Sequence, residues 1–192
     1  MMQLAFDRKV SLSNREVPSK DPATSEISAG EASARTVKSL IRVRLVEGHD
    51  WPAIRVVVRK HHERTLFAHL PFSESKFDAL EKRLRAATNE CVIVAELKSD
   101  LVGVAWVSAG EYLLCDDSLM ATTHLIAVDR QRCGPYLSAR VFIRLLRALV
   151  LWSRSVGAKQ TLVHVTTGTD IKSADRILKA CGARDIGGNY IV

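Results

Sequence analysis

His124-Leu-Ile-Ala-Val128 followed by Asp129-Arg-Gln-Arg-Cys-Gly-Pro135 is the stretch that decides the fold. The first five residues read as an apolar strand, and the turn behind them is basic and carries a glycine. The segment Tyr136 to Val156 has the apolar spacing of a long helix. Thr161-Leu-Val-His-Val165 reads as a second strand, and a shorter helix stops at Cys181-Gly182-Ala183. A strand, a basic turn and a helix start together make a natural site for an anionic group. The first N–H groups of a helix lack intrahelical acceptors, and the helix dipole favours negative charge there. Two strands joined through a helix in one sheet must also run parallel.

Working toward the N-terminus, Leu101-Val-Gly-Val-Ala-Trp-Val107 and Cys91-Val-Ile-Val-Ala95 are two further strands. The polar turn at Ser99-Asp100 makes them a hairpin. Tyr112–Leu114 offers a further short extended piece. Ser73 is placed to start a helix whose buried stripe is Phe77, Leu80, Leu84 and Ala87, and Asp50 to cap another, with Pro52 in its first turn, that runs to about Thr65. Ile41-Arg-Val-Arg-Leu45 alternates as a half-buried strand does. The order is β-α-α-β-β-β-α-β-α with a final short strand or hairpin around Gly187-Gly188. It implies an α/β (α+β) fold with a mixed, mostly antiparallel sheet flanked by helices. Residues 39–192 are expected to form one domain. Residues 1–38, rich in Ser, Glu, Ala, Lys and Pro, are expected to be a disordered tail.

Composition narrows the class. The 192 residues are 47% hydrophobic and 26% charged, ordinary for a globular domain. No uninterrupted apolar run reaches about 18 residues, so no membrane span is expected. The N-terminus lacks a signal-peptide layout, which makes the cytoplasm the expected compartment. Cys91, Cys115, Cys133 and Cys181 are scattered without a ligand-spaced partner, so neither a metal site nor a disulfide framework is expected. The net charge is +7, and Arg140, Arg144, Arg147 and Arg154 share one helix face. That face is either solvated or makes a weak contact with a polyanion such as nucleic acid.

The element order and the turn Gln131-Arg-Cys-Gly134-Pro-Tyr136 resemble the Gcn5-related N-acetyltransferases (the GNAT superfamily), over Ile41 to Val192. In that family the turn reads Arg/Gln-x-x-Gly-x-Gly/Ala; here Tyr136 stands at the small-residue position. Phe67-Ala-His-Leu-Pro-Phe72, Val165-Thr-Thr-Gly168 and Arg184-Asp-Ile-Gly-Gly188-Asn-Tyr190 resemble a narrower subgroup of phage and prophage acetyltransferase-like proteins.

The resemblance implies acetyl-CoA as co-substrate and an amine of unidentified kind as acceptor. It places the backbone of Ile126, Ala127 and Val128 along the pantetheine arm and Gln131, Cys133, Gly134 and Tyr136 at the pyrophosphate. Arg130, Arg132 or Arg140 would reach the other phosphate, since the guanidinium suits bidentate phosphate contacts. Transfer to an amine also needs a proton acceptor. His124 is the first candidate, sharing a face with Ile126 and Val128 by the period of two. Asp117, its neighbour Asp116 and His164 are alternatives. The family's usual acid, a Tyr four residues before the Gly that ends the last helix, is replaced here by Leu178; Tyr190 and Tyr136 remain as substitutes. Three functions follow from these residues. The first is an acetyl-CoA-dependent N-acyltransferase, the second a GNAT-fold binding or virion-associated module without turnover, and the third a nucleic-acid-binding protein. Neither the acceptor nor the oligomeric state is legible.

Overall fold

A computed structural model describes residues 41–112, 114, 116–165 and 171–187. The expected tail, Tyr190 and most of the closing Gly-Gly stretch lie outside these residues. The chain forms β1 (Ile41–Leu45), α1 (Trp51–His62), α2 (Glu74–Ala86), β2 (Glu90–Leu97) and β3 (Asp100–Glu111). There follow β4 (Leu119–Val128), α3 (Arg130–Ser155), β5 (Gln160–Val163) and α4 (Ile171–Ala180). The sheet order is β1-β2-β3-β4-β5, antiparallel until the last pair, β4 and β5, which is parallel. This is the mixed sheet that the order of elements requires.

The central strands are buried on both sides, because consecutive side chains point to opposite faces. Ile93 and Ala95 pack with Val141, Leu145 and Leu149 of α3. Val92 and Val94 pack with Trp51, Ile54 and Val57 of α1 and Phe77 of α2. The sheet is thus a middle layer between α3 and the α1–α2 pair. Gly103 sits where α3 crosses β3. A Cβ there would meet Val141 Cγ1 at 2.8 Å, Leu145 Cδ1 at 3.0 Å and the Ala127 carbonyl at 3.3 Å. Gly103→Ala is therefore expected to destabilise by about 1–3 kcal/mol through overpacking, read as a lower denaturant midpoint at unchanged slope.

Two helix starts differ in kind. Ser73 caps α2 as expected, its hydroxyl accepting from the Lys76 amide at 3.3 Å. Asp50 precedes α1, with Pro52 in the first turn, but its side chain makes no cap bond to that helix. It is buried and accepts instead from Arg44 (2.6 and 2.8 Å) and from the Glu47 amide at 2.7 Å. Arg44 also donates to Glu96, so the cap position is taken over by an ion-pair network that fastens β1 and β2 to α1. Hydrogen bonds from Arg44 hold the Asp50 carboxyl below the usual carboxylate range against the effect of burial. The hairpin turn is as expected: Lys98 and Ser99 both have positive φ (51° and 72°), the geometry that fits the right-handed twist of the strands.

Candidate functional site

β4 and β5 pair from Met120↔Gln160 to Thr123↔Val163 and then separate. Their parting opens a cleft of about 750 Å³. Ile126 and Val128 of β4 line it, and His164 and Val165 follow β5 on the other side. From α3 come Pro135, Ser138, Ala139 and Phe142, which recur at helical spacing as a largely small-residue stripe; α4 adds Ser173, Ala174, Arg176 and Ile177. His61 at the end of α1, with Arg64 just beyond it, closes the mouth.

The turn after β4 differs from its sequence reading. The helix begins at Arg130, not Tyr136, and Gly134 breaks it at φ 66°, ψ 175°. Residues 130–133 are therefore one short turn, and the long helix starts afresh at Pro135. Proline is well suited to a first helical position, where its missing N–H removes no bond. The amides of Gln131 and Arg132, expected to face a pyrophosphate, instead donate to Asp129 Oδ1, both at 3.2 Å. Cys133 is buried in the core beneath α3, and burial, then Asp129, pushes its thiol pKa up, away from thiolate chemistry. Of the cofactor residues expected from sequence, Ile126, Val128 and Arg130 line the cleft. Gln131, Arg132, Cys133, Gly134 and Tyr136 do not, and Ala127 is buried in the cluster beneath α1 and α2.

Asp129 is the fixed point of this turn. It is 3% exposed and accepts from Lys60 Nζ at 2.8 Å, a partner 69 residues earlier on α1. Burial acts to raise its pKa, but the hydrogen bond from Lys60, the Arg132 amide and the two positive charges outweigh it, so the carboxyl titrates below the ordinary range. No sequence spacing signals this pair.

His124 stands where β4 is bulged. Trp106 pairs with Leu125 and Val107 with Thr123, so His124 has no partner residue on β3. The extra residue breaks the period of two. Ile126 and Val128 pack toward α3, whereas the His124 ring stacks on Trp106, centroids 4.3 Å apart, on the side facing α1 and α2. The expectation of one shared face is corrected on that point, although all three residues border the cleft. His124 Nε2 lies 2.7 Å from Ser108 Oγ. Trp106 in turn donates to Glu90 at 2.6 Å, and Arg83 pairs with Glu90 and lies over the Trp106 ring. Burial lowers the His124 pKa, Glu90 opposes this, and Arg83 and His164 add to it; the net direction is down, so the ring is neutral at pH 7.

The remaining candidates are dispersed. Asp116 and Asp117 lie before Leu119, at the far end of β4 and roughly 16 Å along the strand from His124. Neither reaches the cleft. On the basic face of α3, Arg144 donates to the Ile41 carbonyl and so anchors β1, and Arg140 donates to the Tyr136 hydroxyl at 3.0 Å and stacks on its ring. Those two side chains thus have contacts within the fold. Among the described residues no group of His, Cys, Asp and Glu is arranged to hold a metal, and no helix is long and apolar enough to cross a membrane. Arg64, Arg176, Ser138 and Lys60 enter only with the structure.

No family model matches the chain, and a search of curated proteins finds no match. Solved structures do match. A transcriptional regulator from Bacillus halodurans C-125 superposes with a TM-score of 0.63 at 16% identity, over 79% of this chain and 98% of that one. A putative acetyltransferase from Agrobacterium tumefaciens str. C58 gives 0.61 at 12%, over 79% and 98%. An aminoglycoside acetyltransferase, meta-AAC0020, from an uncultured soil metagenomic sample, in complex with sisomicin, gives 0.59 at 18%, over 81% and 98%.

The chain has the GNAT fold.

At these identities the likeness is one of fold. In GNAT-fold terms, the bulged fourth strand, the parted fifth and the helix restarting at Gly134 frame one cleft. Nothing in the likenesses supports the narrower phage and prophage subgroup.

Proposed function

We propose that the chain is an acyl-CoA-dependent N-acyltransferase, with acetyl-CoA as co-substrate and an amine as acceptor. The observation that carries this is the cleft between β4 and β5, with a helix start below it and a neutral imidazole on its wall. The residues present suit such a ligand. Among the described residues Ser138 Oγ, in a side chain that lines the cleft, is buried without a hydrogen-bond partner, an arrangement a bound polar chain would complete. The edge of β4 beyond Thr123 has no β5 partner, leaving backbone groups for an extended arm. Fold-level likeness to acetyltransferases, among them AAC(6')-Iy in complex with a CoA-based bisubstrate analogue (TM-score 0.60, 13% identity), points the same way.

Acetyl-CoA supplies an activated acyl thioester. Ile126 and Val128 would hold its arm, and the first turn from Pro135 with Arg130 would hold its phosphates. This displaces the phosphate site from the amides of Gln131 and Arg132, which serve Asp129. The bulge leaves the His124 amide outside the β3 register and one step past the last β5 pair, a position suited to donate to an acyl oxygen. As the amine N–C bond forms and the thioester C–S bond breaks, the His124 ring would take the amine proton and return it to the departing CoA thiolate. His124 Nε2 and Ser108 Oγ share a hydrogen bond; in the tautomer whose Nε2–H donates, the free lone pair is on Nδ1, and Trp106 fixes the ring plane.

Isothermal calorimetry tests the reading directly. Acetyl-CoA and CoA are expected to bind with Kd of about 1–100 μM, within the usual range for enzyme substrates. Absence of heat at about 1 mM, well above that range, would sink the proposal.

A further inference from the structure

The bulge at His124 leaves the direction of its ring to side chains rather than to the strand ladder, and those side chains lead to a carboxylate outside the cleft lining. This step rests on the acyltransferase reading. Trp106 and Ser108 stand two residues apart on β3 and so point to one face. Trp106 stacks on the imidazole with centroids 4.3 Å apart, and Ser108 Oγ shares a hydrogen bond with Nε2 at 2.7 Å. Glu90 of β2 pairs with Ser108 in register, which puts its side chain on that same face. From there Glu90 Oε2 accepts from Trp106 Nε1 at 2.6 Å. The Glu90 side chain is 9% exposed, and its other oxygen pairs with Arg83 in the last turn of α2. Arg83 also lies over the indole, 5.2 Å from the ring centroid. The indole is thus held at its nitrogen and over its ring, with the imidazole against it.

We propose that Glu90 is a positioning residue for the acyl transfer: through Trp106 it holds the His124 ring in the orientation from which the imidazole takes the amine proton. A hydrogen bond to a carboxylate is shorter and stronger than a neutral one, and here it fixes the indole within its own plane. A stack alone leaves the indole free to slide, and a catalytic group displaced by about an ångström loses much of its rate. The carboxylate also acts through its charge. Glu90 favours the charged imidazole, whereas Arg83 and His164 disfavour it. His61, Arg64, Arg130 and Arg176 line the same cleft. Position and charge are separable, because glutamine keeps an acceptor for the Trp106 N–H and removes the charge.

Glu90→Ala, Glu90→Gln and His124→Ala in the full chain test this. CoA is titrated first by calorimetry. No binding by the wild type, or no thiol release from acetyl-CoA with any of hydroxylamine, ethanolamine and spermidine, condemns the acyltransferase reading itself. The anchor is read independently of that reading by NMR of the His124 ring protons, the signals lost in His124→Ala, which the stacked indole shields. They are expected to move downfield in Glu90→Ala and to stay near their wild-type positions in Glu90→Gln. With an amine that is turned over, kcat is expected to fall about tenfold in Glu90→Ala and about threefold or less in Glu90→Gln, with the Kd for CoA unchanged. In the His124→Ala background, Glu90→Ala is expected to cost less than about twofold, since no ring is left to position. The proposal is overturned if the ring signals do not move in Glu90→Ala, or if that change lowers kcat equally in both backgrounds, as a general loss of packing would. Equal losses in Glu90→Ala and Glu90→Gln also overturn it, since charge and not the anchor then matters. If Glu90→Ala does not fold, Trp106→Phe, which keeps a stacking ring and removes its N–H, takes its place in the kinetic cycle, with the same outcomes deciding.

Discussion

His124→Ala is expected to lower kcat by about a hundredfold, the usual contribution of a positioned general base, while the Kd for CoA stays within about threefold. The split between the two is diagnostic, because the imidazole meets the amine and not the phosphates. Folding is expected to survive. The ring stacks on Trp106 at the exposed edge of the cleft and is not part of either buried cluster. Only the neutral ring accepts a proton, so the rate rises with pH through the His124 pKa and then levels. Burial, with Arg83 and His164, moves that pKa below the ordinary histidine value of about 6.5 despite Glu90. The acid limb should therefore lie below pH 6.5 in a kcat profile of the wild type and be absent in the variant. Ser108→Ala should shift the limb and reduce kcat less, since it removes the ring's hydrogen-bond partner and leaves the base. A His124→Ala enzyme with wild-type kcat would remove the residue from the mechanism.

Asp129→Ala should have the largest effect on stability, about 2–3 kcal/mol at pH 7. Losing an N-cap acceptor costs about 1 kcal/mol, and two first-turn amides lose their acceptor. The rest comes from the broken pair with Lys60, discounted because Lys60 is about a third exposed (32%) and its ammonium can turn to water. Asp129→Asn keeps a capping oxygen and should cost about 1 kcal/mol. The sign of the pH dependence follows from the depressed carboxyl. Its stabilising contribution is present above the unfolded value of about 3.9 and is lost as pH falls through the lower folded value. The difference between wild type and Asp129→Asn should thus be full at pH 7 and shrink below about pH 4. Urea denaturation at both pH values measures it. Because Asp129 ties the turn below the cleft to α1, both variants should also weaken CoA binding; unchanged affinity would confine the residue to folding.

Much of the fold was legible because its signals are local. Alternation in Ile41–Leu45, the apolar runs at Cys91–Ala95 and Leu101–Val107, Ser73 and Pro52 all sit within one element of what they determine. The parallel last pair followed from having a helix between two strands. Asp50 shows where local reading stops: a residue of good capping type is taken by Arg44 and Glu47, and the stronger charge-assisted bonds win. Gly134 shows a second limit. Its positive φ divides a stretch that periodicity reads as one turn plus one helix starting two residues later.

The site was legible only in outline. Ile126, Val128, Arg130 and His124, singled out as site candidates because a strand end followed by a helix start is a local pattern, line one cleft. That the amides of Gln131 and Arg132 donate to Asp129 was not legible, since the fate of a backbone N–H depends on whichever acceptor the fold brings to it. Nor was the bulge at His124. A bulge is a mismatch between two strands, and neither strand's sequence contains it alone.

The sequence by itself determined the order of elements, the mixed sheet and the presence of a basic strand-to-helix junction. These rest on periodicity, chirality and backbone donors, which act over a few residues. Only the tertiary structure decided that Lys60 holds Asp129 from 69 residues away, that β4 and β5 part after Thr123, and that Arg64, Arg130 and Arg176 come to one cleft. Those facts are sums over groups distant in the chain, and the electrostatic field in a cleft is such a sum.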